Sequence, residues 1–113
     1  MKINKYRSKY IKINNKEYNT DLIILGDKII PNWSRKKSHN VDILDIKIII
    51  DFKPKLLIFG TGTGGGMKIP QKTINFLNKN GTKVKYYNSH KAIKKYNKLE
   101  NYENIAAAFH LTC

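Results

Sequence analysis

Two side chains near the end of the sequence have the chemistry of a nucleophile and a base. His110 and Cys113 are three positions apart, and a histidine that removes the thiol proton turns a cysteine into a thiolate nucleophile. Contact between them requires the chain to turn back after Leu111, which this spacing alone does not guarantee. A histidine in a core or pocket wall beside an ordinary thiol is the simpler interpretation. We therefore assign no catalytic residue, and an enzymatic role is left open but not favoured.

A second group of chemically capable residues lies in the polar segment 31–40, PNWSRKKSHN. It contains His39, the only tryptophan, Trp33, and Arg35, one of two arginines among the 22 basic residues. A guanidinium is a planar fork that suits a carboxylate or phosphate and also stacks on aromatic rings. The segment predicts either a ligand-binding arginine or, as we favour, an arginine whose pairing or stacking orders the loop.

The third candidate site is the glycine-rich stretch 60–66, GTGTGGG. It follows a predicted strand and precedes a predicted helix, so it lies at the edge of the sheet where α/β proteins bind ligands. Residues 60–65 match G-x-G-x-x-G, but the helix begins only near Pro70, and the next strand ends in Tyr87-Asn88 without an acid. A dinucleotide is thus disfavoured. A small anion on the backbone N–H groups is an alternative to glycines that allow close packing, which we favour.

A metal site is not predicted. Cys113 is the only cysteine, and besides His110 only His39 and His90 offer a ring nitrogen. Structural zinc sites use four such ligands. We expect no metal and no cofactor.

The strongly basic composition has two interpretations. The formal net charge is +14, and a basic stripe at helical spacing is formed by Lys91, Lys94, Lys95 and Lys98. Like charges at this spacing repel, and an acidic partner surface would offset the repulsion; a solvated face is the simpler interpretation. The other lysines are scattered and accompany many Asn, Ile and Tyr residues, as A- and T-rich codons would supply. Nucleic-acid association through charge is therefore a third, less favoured hypothesis.

The elements that position these residues begin with two predicted hairpins. Residues 10–19 alternate around Asn14-Asn15, and residues 22–30 surround a Gly26-Asp27 turn. Segment 42–53 predicts a helix with Asp42 and Asp45 as its N-cap and N3 acids. The residues that recur at its helical period are Val41, Leu44, Ile48 and Phe52.

The remaining sequence predicts a βαβαβ unit. Strands are expected at 55–59, 83–87 and 105–111. In the last strand, alternation places Ile105, Ala107, Phe109 and Leu111 on one face and Ala106, Ala108, His110 and Thr112 on the other. One connecting helix runs from Pro70 to Asn80. The other is capped by Ser89 and runs to about Leu99, and its inner face is predicted to carry Ala92, Ile93, Tyr96 and Leu99. Helical crossovers of this length give parallel strands. The predicted fold class is therefore α/β, with N-terminal hairpins joined to a βαβαβ unit in a single domain, 1–113.

The expected cellular compartment follows from features that the sequence lacks. No apolar run approaches the roughly 20 residues that span a bilayer, and no apolar signal-peptide segment follows the basic start. A single cysteine allows no internal disulfide. We expect a cytoplasmic protein without membrane association.

Taken together, several short motifs resemble the Mth938-like domain family, also called DUF498. They are PNWSRK followed by His39, FGTG with its glycine loop and MKIP, KYNKL, and AAAFHLTC, in this order over nearly the whole chain. The resemblance implies that family's compact α/β fold and a pocket near the glycine loop. The positions it carries over are Trp33, Arg35, His39, Gly60, Gly62, Met67, His110 and Cys113, and Thr61 lies among them. The chain departs from the family at Ser34, where a second aromatic is common, and at its triple glycine.

One mitochondrial branch of that family is associated with assembly of respiratory complex I. That is a role in handling partners rather than a defined reaction, and it does not carry over to this chain, because the sequence shows neither a mitochondrial address nor that partner. The basis for our expectation is that no complete catalytic constellation is present. We expect a non-enzymatic binding or assembly module for a protein partner, with a small-molecule or anion pocket at residues 60–67 as the alternative.

Overall fold

The computed structural model describes residues 1–99 and 102–113. The strands are β1 (Ile3–Arg7), β2 (Tyr10–Ile13), β3 (Lys16–Tyr18), β4 (Leu22–Leu25), β5 (Lys28–Pro31), β6 (Leu56–Thr61), β7 (Lys83–Tyr87) and β8 (Ile105–His110). The helices are a 3₁₀ turn (Ile43–Ile46) continued by α1 (Lys47–Phe52), then α2 (Gln71–Lys79) and α3 (Ser89–Asn97). No helix in the described ranges is long and apolar enough to cross a membrane.

These strands form two sheets. The larger one has the order β5-β4-β8-β6-β7, and β6 runs parallel to both of its neighbours. Strand β4 runs antiparallel to β5 and β8, which attaches the second hairpin to the βαβαβ unit. Strands β1, β2 and β3 form a separate antiparallel sheet. The predicted α/β class, with hairpins joined to a βαβαβ unit, is confirmed.

Strand β8 lies in the middle of the larger sheet and is buried on both faces. Ala106, Ala107 and Ala108 are fully buried. Ile105, Ala107 and Phe109 pack in the core on the α3 side, whereas Ala106 and Ala108 pack in the core on the α1 and α2 side. The predicted alternation is confirmed, and the small side chains let helices approach the sheet closely on both faces.

Both hairpin turns are where the sequence predicts them. Asn14 and Asn15 have φ of +48° and +66°, and Gly26 has φ of +62°. Asparagine and glycine tolerate this left-handed region better than other residues do. Strand β1 extends the first hairpin into a three-stranded sheet that the sequence analysis did not anticipate.

The caps of segment 42–53 are also confirmed. Asp42 Oδ1 accepts the Ile43 N–H at 2.6 Å, and Asp45 Oδ2 accepts the Asp42 N–H at 2.8 Å. Helix α1 ends at Phe52, and Lys53 follows in the left-handed conformation just before Pro54.

The predicted inner face of this segment is wrong at Leu44 and Ile48, but it is right at Val41, which is fully buried, and at Phe52, which packs against the core. Leu44 is 82% exposed and Ile48 is 42% exposed, while Ile46 and Ile49 are fully buried. The cause is the tighter 3₁₀ turn at the start, which has three residues per turn and shifts the phase of every later side chain. A strictly α-helical period therefore selects the wrong isoleucines.

The cap of α3 also differs from the prediction. The Asn88 side chain, not that of Ser89, accepts the Lys91 N–H at 3.0 Å. Ser89 is instead fully buried in the first turn. The inner face of α3 is as predicted, because Ala92, Ile93 and Tyr96 are buried.

Candidate functional site

An aspartate, an arginine and a histidine meet where β4 begins and β8 ends. Asp21 Oδ2 lies 2.7 Å from Arg35 Nη2 and 2.8 Å from His110 Nδ1. The other carboxylate oxygen, Oδ1, accepts the Leu111 N–H at 2.8 Å. The side chains are 3% (Arg35), 5% (His110) and 16% (Asp21) exposed. The cluster is thus a nearly buried ion pair extended by an imidazole.

The charge state of Asp21 determines which ring nitrogen of His110 carries the hydrogen that faces the carboxylate. Burial by itself would raise the pKa of Asp21, but hydrogen bonds from His110, Arg35 and the Leu111 N–H outweigh burial and lower it. An ionised carboxylate cannot donate, so the 2.8 Å contact requires the hydrogen to be on His110 Nδ1. Arg35 Nη2 then donates to Asp21 and not to His110. In the neutral imidazole this arrangement leaves His110 Nε2 with a lone pair.

Loop 32–40 holds the arginine from the other side. Arg35 Nε donates to the Ser38 carbonyl at 2.8 Å, and the guanidinium carbon lies 4.3 Å from the centre of the Trp33 ring. Trp33 is anchored in turn, because its Nε1 donates to the Asp45 carbonyl at 2.9 Å. The predicted stack of Arg35 on Trp33 is confirmed, and it orders the loop around a buried charge. Arg35 Nη1 is buried without a hydrogen-bond partner in residues 1–99 and 102–113.

Three potential ligand atoms meet beside this cluster. A ring nitrogen of His39, a ring nitrogen of His110 and the Cys113 Sγ all lie within 4.8 Å of one another. The two imidazoles are edge to face, with ring centroids 5.6 Å apart. His39 and Cys113 are exposed, whereas His110 is buried. The chain does turn back after Leu111, and Cys113 has φ of +41°.

The glycine loop is the surface against which residues 112–113 fold back. The Thr63 N–H donates to the Thr112 carbonyl at 3.2 Å, and the Gly66 N–H donates to the Cys113 carbonyl at 3.0 Å. A Cβ on Gly62 would lie 2.2 Å from the Thr112 oxygen. The returning chain therefore excludes a side chain at Gly62.

Internal hydrogen bonds use most of the loop amides. The Gly65 N–H donates to Gly62 and the Met67 N–H to Thr61, at 3.2 and 2.9 Å. The Gly62 N–H donates to Ser89 Oγ at 2.9 Å, and this hydroxyl donates to the His110 carbonyl at 2.7 Å. An anion would have to displace these bonds, so this geometry favours the close-packing interpretation.

Two of the predicted pocket residues are packing residues. Gly60 gives room to a neighbouring ring, since a Cβ there would lie 2.5 Å from a carbon of Phe109. Met67 is 2% exposed and lies in the core. A cleft of about 470 Å³ does lie beside the loop, with Thr61, Gly65 and Met67 among its lining residues. Arg35, His39, His110 and Cys113 do not line it, so the predicted pocket residues divide between two places.

A different cavity lies between β7 and α3. It measures about 350 Å³ and is lined by Leu56, Ile58, Lys83, Lys85, Tyr87, Lys95, Lys98, Leu99 and Tyr102. We call it the lysine groove. The predicted basic face contributes Lys95 and Lys98 to it, while Lys91 lies above Tyr87, with its Nζ 5.3 Å from the ring centre. Lys94 is exposed on the same helix.

Sequence reasoning missed Asp21 and the functional place of Ser89. Asp21 directly precedes an apolar strand, and it is one of only eight acidic residues in the chain. An acid at the start of a buried strand was the available signal, but its partners are at positions 35 and 110. Ser89 was mistaken for a cap because the neighbouring Asn88 is an equally good one.

The comparisons with known proteins agree with this fold. The family model described as "Protein of unknown function (DUF498/DUF598)" matches residues 3–110. The conserved hypothetical protein PH1505 from Pyrococcus horikoshii OT3 is similar, with a TM-score of 0.88 and 24% identity over 100% of both chains. The structure named MT938 has a TM-score of 0.80 and 20% identity over 99% of this chain and 98% of its own.

A third solved structure carries the family's domain name. A Bordetella pertussis protein described as a Mth938-like domain has a TM-score of 0.77 and 12% identity over 97% of this chain and 85% of its own. At these identities the structures show a common fold, and the family match adds the sequence evidence. The chain belongs to the DUF498/DUF598 family of Mth938-like domains.

Proposed function

We propose that this protein is a binding module that holds an acidic segment of a partner protein in the lysine groove. The observation that carries the proposal is the pairing of an apolar floor with a basic rim in a cavity of about 350 Å³. The segment would carry one or two apolar or aromatic side chains flanked by aspartate or glutamate.

The rim comes from two elements. Lys83 and Lys85 are two positions apart on β7, so their side chains point to the same face of the sheet. Lys95 lies in the last turn of α3, and Lys98 is the C-cap residue directly after it. Ion pairs among residues 1–99 and 102–113 involve only Asp21, so in these ranges the four lysines have no acidic partner. Their mutual repulsion is a cost that an acidic segment would remove.

The floor supplies the second requirement. Leu56, Ile58 and Leu99 line it, and Tyr102 is 47% exposed at its border. An apolar side chain placed there leaves water and gains about 25 cal/mol for each Å² buried. The alkyl stems of the lysines extend the apolar surface while their ammonium groups stay solvated. An acidic side chain alone would use only half of this site.

The groove fits a peptide better than a nucleic acid. Nucleic acids are held by phosphate contacts along a track and by stacking on aromatic faces. Here four lysines and two tyrosines surround an aliphatic floor in one cavity of about 350 Å³ rather than along a track. Neither arginine of the chain lines it. Strand β7, which carries Lys83 and Lys85, is an edge strand of the larger sheet. Lysines on an edge strand also discourage pairing between copies of a protein. The experiment must therefore distinguish this protective role from peptide binding.

The test is fluorescence anisotropy with a labelled peptide in which glutamate alternates with leucine. Lys95→Glu/Lys98→Glu is compared with Lys5→Glu/Lys28→Glu, a pair of exposed lysines outside the groove that changes the net charge equally. We expect about tenfold weaker binding for the groove variant, or about 1.4 kcal/mol, and less than about twofold for the control.

Two further ligands are measured in the same way. A peptide in which serine replaces leucine tests the contribution of the apolar floor, and single-stranded RNA tests whether negative charge alone is enough for binding. Weaker binding of the serine peptide supports the proposal. Equal losses for both lysine pairs would mean that only the net charge attracts the peptide. RNA that binds more tightly than the leucine peptide at physiological salt would overturn the proposal in favour of nucleic-acid association.

A further inference from the structure

We propose that His39, His110 and Cys113 form a binding site for a thiophilic divalent cation of the zinc class. None of these residues lines the lysine groove, so the test of this inference is independent of the test of the proposed function. It goes against the expectation from the sequence, which lacked enough ligands for a structural zinc site.

The first argument is the convergence of three ligands from two distant parts of the chain, loop 32–40 and the segment at the end of β8. Their donor atoms lie within 4.8 Å of one another. Two nitrogens and a sulfur bound to zinc at about 2.0 and 2.3 Å would be roughly 3.3–3.6 Å apart in a tetrahedral site. A shift of about 1 Å therefore closes the site. His39 and Cys113 can make it, since both are exposed.

The second argument is the orientation of the one buried ligand. Asp21 holds the hydrogen of His110 on Nδ1 at 2.8 Å, which leaves Nε2 as the lone-pair donor. Among the described residues the hydrogen-bond partner of Nε2 is Thr112 Oγ1, at a weak 3.5 Å. A carboxylate behind the imidazole of a metal ligand is the usual outer arrangement, since it fixes the tautomer and makes the free nitrogen more basic.

The third argument is the backbone that holds the exposed ligands. The Cys113 carbonyl accepts the Gly66 N–H at 3.0 Å, which fixes the cysteine backbone against the glycine loop. The His39 carbonyl accepts the Lys68 N–H at 2.8 Å, directly after the same loop. The loop thus positions two ligands through its main chain.

The ligand set decides the kind of metal. A thiolate with two imidazoles suits zinc and other soft or borderline cations, and it does not suit magnesium or calcium, which prefer oxygen. Binding would deprotonate the thiol: Zn²⁺ and Cys113–SH give the zinc thiolate and one released proton. Three protein ligands leave a fourth position for water or a substrate, as in catalytic rather than structural zinc sites.

The experiment uses Co²⁺ as a spectroscopic substitute on tag-free chain that has been treated with a chelator. We expect one Co²⁺ per chain, a thiolate-to-cobalt charge-transfer band, and loss of the band when Zn²⁺ is added. Cys113→Ser and His39→Ala should abolish the band without unfolding the chain, because both side chains are exposed. Asp21→Asn should weaken binding about 10- to 100-fold.

His90→Ala is the matched control, because His90 is an exposed histidine on α3 that packs edge to face on Tyr6. It should bind Co²⁺ like the wild type. No charge-transfer band in the wild type would overturn the proposal. So would a band that persists in Cys113→Ser, or one that is lost equally in His90→Ala.

Discussion

Asp21 and His110 are 89 positions apart in the sequence, yet Asp21 Oδ2 lies 2.8 Å from His110 Nδ1. The second oxygen of the same carboxylate accepts the Leu111 N–H. One side chain at the start of β4 therefore fixes both the imidazole and the backbone at the end of β8. Whatever His110 binds, its orientation depends on Asp21.

Asp21→Asn should be strongly destabilising. The variant keeps the shape of the side chain but leaves the Arg35 guanidinium, which is 3% exposed, without its anion. Breaking a buried pair by removing one charge costs about 3–5 kcal/mol. Denaturant unfolding monitored by circular dichroism measures the loss. Asp27→Asn, in the exposed turn between β4 and β5, should change the free energy of unfolding by less than about 0.5 kcal/mol; an equal loss there would contradict the assignment.

The same carboxylate should give the wild type an acid-dependent stability. Burial opposes ionisation of Asp21, but the hydrogen bonds from His110, Arg35 and Leu111 lower its pKa. The ionised form therefore stabilises the fold fully above the unfolded-state pKa of about 3.9, and this stabilisation is lost as the pH falls through the lower folded-state pKa. Below pH of about 4, the unfolding free energy of the wild type should fall more steeply than that of Asp21→Asn. Parallel curves would contradict this.

Ser89→Ala should destabilise the connection between α3, the glycine loop and β8. Its buried hydroxyl accepts the Gly62 N–H and donates to the His110 carbonyl, at 2.9 and 2.7 Å. Without it, two buried polar groups lose a partner, at about 1–3 kcal/mol. Chemical denaturation measures this cost. Ser8→Ala, at an exposed position, is the control and should be nearly neutral.

Gly62→Ala should cost more stability than Gly81→Ala. Both glycines have positive φ, +105° and +88°, so both variants carry backbone strain. Only at Gly62 would the new Cβ also collide, at 2.2 Å from the Thr112 carbonyl oxygen, whereas at Gly81 it would meet nothing within 4 Å. We expect a further loss of about 1–3 kcal/mol for Gly62→Ala. Thermal unfolding of the two variants side by side measures the difference, and equal melting temperatures would argue against the collision.

Local sequence signals predicted most of the fold. The turns at Asn14-Asn15 and Gly26-Asp27, the Asp42 cap and the alternation of β8 all depend on neighbours a few positions away. The inner face of segment 42–53 failed because a 3₁₀ turn at its start changed the period. Nothing in the isoleucine-rich sequence marks where the tighter turn gives way to α1.

The candidate site was predicted only in part, because its contacts are not local. Trp33 and Arg35 are close in sequence, and their stack was expected. The partners of Asp21 are not close to it, and the approach of His39 to Cys113 depends on how the glycine loop receives the returning chain. Such contacts follow from the sheet order, which places β8 between β4 and β6.

That sheet order also bears on how the chain is made. Strand β8 is the last strand along the sequence, yet it is the central strand against which both β4 and β6 pair. During synthesis the β4–β5 hairpin can form early, but it has no sheet to join until Ile105–His110 has left the ribosome. Pairing between such distant segments is slow because a long loop must close first. This domain therefore completes its core only once β8 is available, and until then the half-built sheet exposes apolar strand edges, which makes the partly folded chain prone to aggregation.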